Sequence, residues 1–291
     1  MSRLNKYHWL AIVGIIVFAI LSIRSCKTKN KQSISQANYP IQVIDNELRV
    51  GDVVLYRFIP IDGGYMDFAY KSSVKVSDSD NGVEGVNENM NATRKEIPSF
   101  LIGETPVPVN LLYFMMKNEL IPKKSIESFE MFYAGNLKAE EWDDVIKKLE
   151  QYTGHRFRLP TSEEWEYAAR GGQKSKGYKY AGSDNIDEVA HYKGNTPSEK
   201  FMRGKEKKPN ELGLYDMSGG VLELTSSKLS DVDSFFLLLE DELKKEGDNF
   251  NLIGERISRG GCWSDGPQKC EVRYIEHGVT VRTGARLIME Y

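Results

Sequence analysis

The chain has 291 residues, 40% hydrophobic and 28% charged, with 39 Lys and Arg against 42 Asp and Glu for a formal charge of −3. That length buries a core without covalent staples, and the near-neutral balance excludes a nucleic-acid footprint built on a basic face. Three cysteines are too few for a disulfide scaffold or a four-thiolate metal centre.

Residues 1–23 come first. Trp9 to Ile23 is uncharged and apolar all round, with Arg3 and Lys6 before it. Its length lies between a secretory signal core and a short spanning helix, so the segment predicts a signal sequence or a membrane anchor. Ile23-Arg24-Ser25-Cys26 resembles a bacterial lipoprotein box, with Arg24 as its departure, and marks Cys26 as a candidate lipidation site. Arg24, Lys27, Lys29 and Lys31 outnumber the preceding positive charges, so an uncleaved anchor would keep its C-terminal side inside. A cleaved signal removes that objection, and the expected location is membrane-associated and extracytoplasmic. Residues 24–40 are polar and aperiodic, a linker to a domain over 41–291.

From Ile41 the apolar residues alternate, and two short strands are predicted to turn at Gly51-Asp52. Residues 71–99, rich in Ser, Asp, Asn, Glu and Gly, read as a long loop. Trp142, Val145, Ile146, Leu149 and Tyr152 share one face of a helix over 140–152. Thr161 and Glu164 form a capping box that starts a second helix, closed by Gly171-Gly172. Residues 231–246 place Phe235, Leu238, Leu239 and Leu243 on an apolar stripe, an amphipathic helix with an acidic face and a candidate partner surface.

Four blocks carry more than local structure. They are Phe157-Arg158-Leu159-Pro160-Thr161 running through Glu164-Trp165-Glu166 to Arg170-Gly171-Gly172, then Lys208-Pro209-Asn210 through Gly213-Leu214-Tyr215-Asp216-Met217, then Arg259-Gly260-Gly261-Cys262-Trp263, and finally Gly284-Ala285-Arg286-Leu287. In order and spacing they closely resemble the formylglycine-generating enzyme (sulfatase-modifying factor) family, over about residues 55–291. The resemblance implies an α+β, C-type-lectin-like fold with little regular secondary structure. Physically the blocks read as scaffold: Arg158 and Arg170 would hold loops through charge-assisted bonds, and Gly260-Gly261 would make a sharp turn.

The resemblance also implies chemistry that this chain supplies only in part. Active members oxidise a substrate cysteine to formylglycine with a copper ion held by two thiolates, soft ligands for a soft metal. Carried onto this chain, the first thiolate position is Asp265 and the second is Cys270, while Cys262 replaces the Ser of an RGGS turn. Cys262 and Cys270 are therefore catalytic candidates only if the chain is an enzyme. Otherwise they are a small disulfide or two buried free thiols, and copper is not expected. Trp263 and Asp265 are candidate binding residues. The family's GNVWEW loop, which holds a structural calcium, here reads Gly219-Gly220-Val221-Leu222-Glu223-Leu224. Two readings of Glu223 stand: a calcium ligand together with the Gly219 and Val221 carbonyls, or an ion pair with a nearby arginine. The stretch Val189-Ala190-His191 offers no ligand for a further calcium, and His155, His191 and His277 are scattered rather than clustered for iron. The expected function is a membrane-tethered, extracytoplasmic binding or structural protein for a protein or glycan partner, leaning away from catalysis. The alternative is an oxidase of the formylglycine class with a rearranged thiol site.

Overall fold

In the computed structural model the alternation beginning at Ile41 becomes a meander. Strand β1 (Gln42–Ile44) runs antiparallel to β2 (Glu47–Val50) across Asp45-Asn46, both at positive φ (50° and 62°). Such mirror-image turns match the twist of a hairpin. β2 then reverses into β3 (Val53–Ile61) at the predicted Gly51-Asp52 turn. The structure describes residues 41–69, 71–75, 84–88, 93–117, 133, 137–196, 203–228, 256–277 and 282–291. The expected anchor, the linker, Cys26 and the amphipathic segment 231–246 lie outside them. Among the described residues no helix is long and apolar enough to cross a membrane.

The polar stretch 71–99 departs from its reading as a loop. β4 (Gly64–Phe68) pairs with β7 (Thr93–Ile97), and β5 (Lys71–Lys75) pairs with β6 (Glu84–Glu88). Ladder hydrogen bonds come from the backbone, so strands can form where the side chains give no apolar alternation. β8 (Phe100–Gly103) is buried along its whole length and lies antiparallel to β3.

Helix α1 (Val109–Lys117) buries Leu111, Leu112, Phe114 and Met115, too broad an apolar face to leave an amphipathic period. Helix α2 (Ala139–Thr153) matches the predicted one and buries Trp142, Val145 and Leu149. Glu141 accepts from the Lys138 N–H at 2.8 Å to start it, and the Gly154 N–H (φ 73°) donates to Glu150 O at 2.8 Å to end it. After β9 (Phe157–Arg158), helix α3 (Ser162–Ala169) opens on the predicted capping box. The Glu164 N–H donates to Thr161 Oγ1 at 3.1 Å, and the Thr161 N–H donates to Glu164 Oε2 at 2.8 Å. The single turn α4 (Ile186–Val189) is capped by Asn185.

The remaining strands are β10 (Ala190–His191), β11 (Ser218–Gly219), β12 (Leu222–Lys228), β13 (Arg256–Arg259), β14 (Tyr274–His277), β15 (Thr283–Ala285) and β16 (Ile288–Met289). One sheet has the order β1-β2-β3-β8-β16-β9, and a second has the order β15-β12-β13-β14-β5-β6. α1 and α2 cover the first sheet through a core of Leu48, Phe58, Leu111, Trp142 and Phe157. α3 packs on β12 and β13, and its Trp165, Tyr167 and Ala168 share a second core with Ile102, Leu214, Met217 and Ile288. The closing strands β15 and β16 belong to different sheets, so the Gly284-Ala285-Arg286-Leu287 block passes between them.

Candidate functional site

Arg286 sits at that passage. Its Nε and Nη2 donate to the two oxygens of Glu223 at 2.9 and 2.8 Å, while Nη1 and Nη2 donate to Gly103 O and Tyr215 O, each at 2.8 Å. Glu223 also accepts from the Trp165 indole N–H at 2.8 Å. Both charged side chains are fully buried, and the pairing joins β12, the β15–β16 passage and α3. Burial alone would lower the pKa of Arg286, but the charge and hydrogen bonds of Glu223 outweigh it and leave it raised.

A second buried pair locks α3 to β13. Arg259 Nη2 donates to Glu166 at 2.9 Å and its Nε donates to Ser162 at 2.8 Å, while Arg170 pairs with the other Glu166 oxygen. Arg158 makes a fork onto Glu164 at 2.7 and 2.8 Å and donates to Leu159 O, the loop-holding role read from its sequence block. Asn210 explains the block around it. Its amide donates to Ala168 O and Ala169 O, and its Oδ1 accepts from the Leu212 and Leu214 N–H groups.

The loop after β13 brings together the catalytic and binding candidates Cys262, Trp263, Asp265 and Cys270. Gly260 and Gly261 both lie at positive φ (90° and 68°), and a side chain on Gly261 would meet Lys269 O at 2.7 Å and Cys270 Sγ at 3.0 Å. Cys262 and Cys270 are buried and carry free thiols. The Asp265 carboxylate accepts from the Cys262 N–H at 2.8 Å, and the Asp265 N–H donates back to Cys262 O at 2.9 Å, so this side chain closes a turn. Cys262 Sγ lies 3.2 Å from Ser264 Oγ. Burial pushes the Cys262 thiol up; Cys270 is pushed up to about 12 by burial first and then by the nearby Asp265 and Cys262. Half-buried Trp263 donates from its backbone to Gly220 O at 3.0 Å, and the Arg282 guanidinium stands 5.4 Å from its ring centroid.

Of the two readings of Glu223, the structure supports the ion pair. Its oxygens already accept three hydrogen bonds, two of them from a guanidinium standing where a cation would bind. Gly219 and Val221 lie at the entry to β12, where the Gly219 N–H donates to Gly260 O and Gly220 O accepts from the Trp263 N–H. The residues present do not fit a calcium at Glu223. Nor does the donor set match a two-thiolate copper site, because the first position holds a carboxylate tied to a backbone N–H. No grouping of three or more His, Cys, Asp and Glu suited to a metal occurs among the described residues.

Two buried features escaped the sequence reading. Asp216, at φ 56°, accepts from the Tyr133 hydroxyl and from the Lys205 N–H at 2.8 Å, and burial raises its pKa. The second is the Arg259–Glu166–Ser162 cluster. Tyr133 and Asp216 are 83 positions apart in the chain, and Arg259 is 93 and 97 from Glu166 and Ser162, distances no local spacing signals.

The sulfatase-modifying factor enzyme 1-like domain model matches residues 57–286. Over 84 residues, 23% of this chain and 30% of the relative, the sequence is 48% identical to "Chaperone protein LppX" of Paenibacillus barcinonensis. Over 90 residues, 26% of this chain and 28% of the relative, it is 35% identical to "Inactive C-alpha-formylglycine-generating enzyme 2" of Bos taurus. The matches thus span less than a third of the length of either relative. Among solved structures, Treponema denticola variable protein 1 superposes with a TM-score of 0.59 at 20% identity, covering 84% of this chain and 98% of that one. The chain belongs to the sulfatase-modifying factor enzyme 1-like family.

Proposed function

We propose that this chain is a membrane-tethered, extracytoplasmic binding protein that has kept the family scaffold and given up copper-dependent oxidation. The observation that carries the reading is Asp265. Where the resemblance implies a thiolate, its carboxylate closes the Cys262 turn at 2.8 Å. A hard oxygen ligand does not replace a thiolate on copper(I). Two family relatives carry names that fit, one a chaperone and one an inactive formylglycine-generating enzyme. The favoured partner is a protein, with Trp263 and its loop as the surface offered to it.

A second reading, an oxidase working through Cys270 with Cys262, has in its favour the closeness of Cys270 to the Gly261-Cys262 backbone. One assay separates the two. The purified protein is loaded with copper(I) and given a sulfatase-type cysteine peptide under oxygen. No aldehyde and no tight copper binding is the expected result, and aldehyde that disappears in Cys270→Ser overturns the binding reading. The tether is tested separately by mass spectrometry of the mature N-terminus: a lipid on Cys26 or an intact residue 1–23 segment is expected, and a cleaved, unmodified N-terminus removes it.

A further inference from the structure

Gly261 presses so closely on the Lys269-Cys270 backbone that an added Cβ would lie 2.7 Å from Lys269 O and 3.0 Å from Cys270 Sγ. Cys262 is the next residue, its Cα about 3.8 Å along the chain. The turn at Gly261 therefore brings the Cys262 backbone beside Cys270, and a disulfide between the two requires a Cα separation of ~4.4–6.8 Å. Neither sulfur has a strong partner. Cys262 Sγ lies 3.2 Å from Ser264 Oγ and Cys270 Sγ lies 3.7 Å from Gly266 O, both weak sulfur contacts within the same loop. Rotating the thiols toward each other gives up these contacts, those of Cys262 with the Asp265 side chain and the Ser264 backbone, and that of Cys270 with the Gly219 backbone, all of them weak sulfur hydrogen bonds. Asp265 closes the turn at Cys262, and the hydroxyl of Ser218 donates to Cys270 O at 2.8 Å, so each cysteine backbone has one hydrogen-bonded anchor.

From this geometry we infer that Cys262 and Cys270 form a reversible disulfide that staples the Trp263 loop, with a low-molecular-weight disulfide as the oxidant. The reaction is thiol–disulfide exchange. The thiolate of one cysteine attacks the small disulfide and displaces one small thiol. The second cysteine then attacks the mixed disulfide, and a second small thiol leaves. The protein loses two protons and two electrons, the S–S bond of the oxidant breaks, and the Cys262–Cys270 bond forms. Because both thiols are buried, exchange proceeds through local opening of the loop and is slow. Oxidation would fix the backbone that presents Trp263, so the stiffness of the proposed binding surface would follow the redox state of its surroundings. The inference concerns the cysteines alone and stands whether or not a protein partner binds that surface.

The test uses the full chain equilibrated with glutathione disulfide, quenched with acid, alkylated and digested with trypsin. Cleavage after Arg259, Lys269 and Arg273 places the two cysteines on separate short peptides, so a bond between them is read directly as a mass. A linked pair of peptides is expected, lost on treatment with dithiothreitol, together with a rise in Tm of roughly 5 °C. Cys262→Ser and Cys270→Ser should each abolish both signals. Recovery of both cysteines as alkylated thiols, as separate glutathione adducts, or joined to Cys26 instead of each other overturns the inference. The mapping on the unmutated protein decides the matter even if one variant fails to fold.

Discussion

Arg286 and Glu223 form a two-pronged ion pair in which neither side chain reaches solvent, at 2.8 and 2.9 Å. The pair stands at the passage of the closing segment from one sheet to the other, and two backbone carbonyls complete the guanidinium's bonds. Removing one member leaves the other buried and uncompensated, which costs about 3–5 kcal/mol. Arg286→Met and Glu223→Gln should each lower the stability by that order in urea denaturation. The double variant should lose less than the sum of the two, because the uncompensated charge is gone. Single-variant losses below about 1 kcal/mol would falsify the role given to the pair.

The same geometry predicts indifference to calcium. A cation that binds only the folded state raises Tm in proportion to its excess over Kd. With the Glu223 oxygens taken by Arg286 and Trp165, thermal melts in EDTA and in millimolar calcium should coincide within error. A calcium-dependent rise of several degrees that vanishes in Glu223→Gln would restore the metal reading.

The parts of this fold that could be read in the sequence are those whose partners are close along the chain. Thr161 and Glu164 are three residues apart, so the start of α3 was visible, and α2 was visible because its buried face repeats at helical spacing. β5, β6 and β7 were hidden because backbone pairing leaves no mark on a polar composition. At the site, position 265 and the two cysteines were legible as residue types through the resemblance. That Asp265 turns inward onto the Cys262 N–H was not legible, because a side chain's hydrogen bond depends on loop geometry. For Glu223 the sequence left a cation and an arginine as alternatives. Arg286, 63 residues away, is paired with it only by the parallel register of β12 and β15.

Asp216 sets a pH dependence of opposite sign to that of a salt-bridged carboxylate. Burial raises its pKa above the ordinary 3.8, against the pull of the Lys205 N–H, the Tyr133 hydroxyl and Arg286. The folded state then holds the proton more tightly than the unfolded chain. Its stabilising contribution is full below pH 3.8 and is lost as pH rises through the folded pKa. Asp216→Asn keeps a carbonyl acceptor for Tyr133 and Lys205 but does not titrate. In denaturation series from acid to neutral pH, the variant should gain on the parent as pH rises. A constant difference across the series would remove the assignment.

The capping box and the Arg158 fork share one side chain, so their contributions can be separated. Thr161→Ala removes only the cap to the Glu164 N–H and should cost about 1 kcal/mol. Glu164→Ala removes the reciprocal bond to the Thr161 N–H and both Arg158 hydrogen bonds as well. It should therefore be clearly the more destabilising of the two by urea denaturation. Equal losses would mean that the Arg158 fork, on a side chain about a third exposed, contributes nothing measurable.

Gly219 and Gly220 offer a matched pair for weighing close approach against backbone strain. Both lie at positive φ, 72° and 78°, where any L side chain is strained by roughly 1–2 kcal/mol. A Cβ on Gly220 would meet nothing within 4 Å, whereas one on Gly219 would collide with the carbonyl of His191, its partner across the parallel β10–β11 pairing. A carbonyl in a strand cannot swing aside as the end of a long side chain can. Gly220→Ala should lose about the strain alone, and Gly219→Ala should lose that amount plus the cost of separating β10 from β11. Since the Gly219 N–H holds Gly260 O at 2.7 Å, the second loss should extend into the Cys262 turn. Faster alkylation of Cys262 in Gly219→Ala, with no change in Gly220→Ala, is the expected readout; equal rates in the two variants would show that the β10–β11 contact does not support the thiol loop.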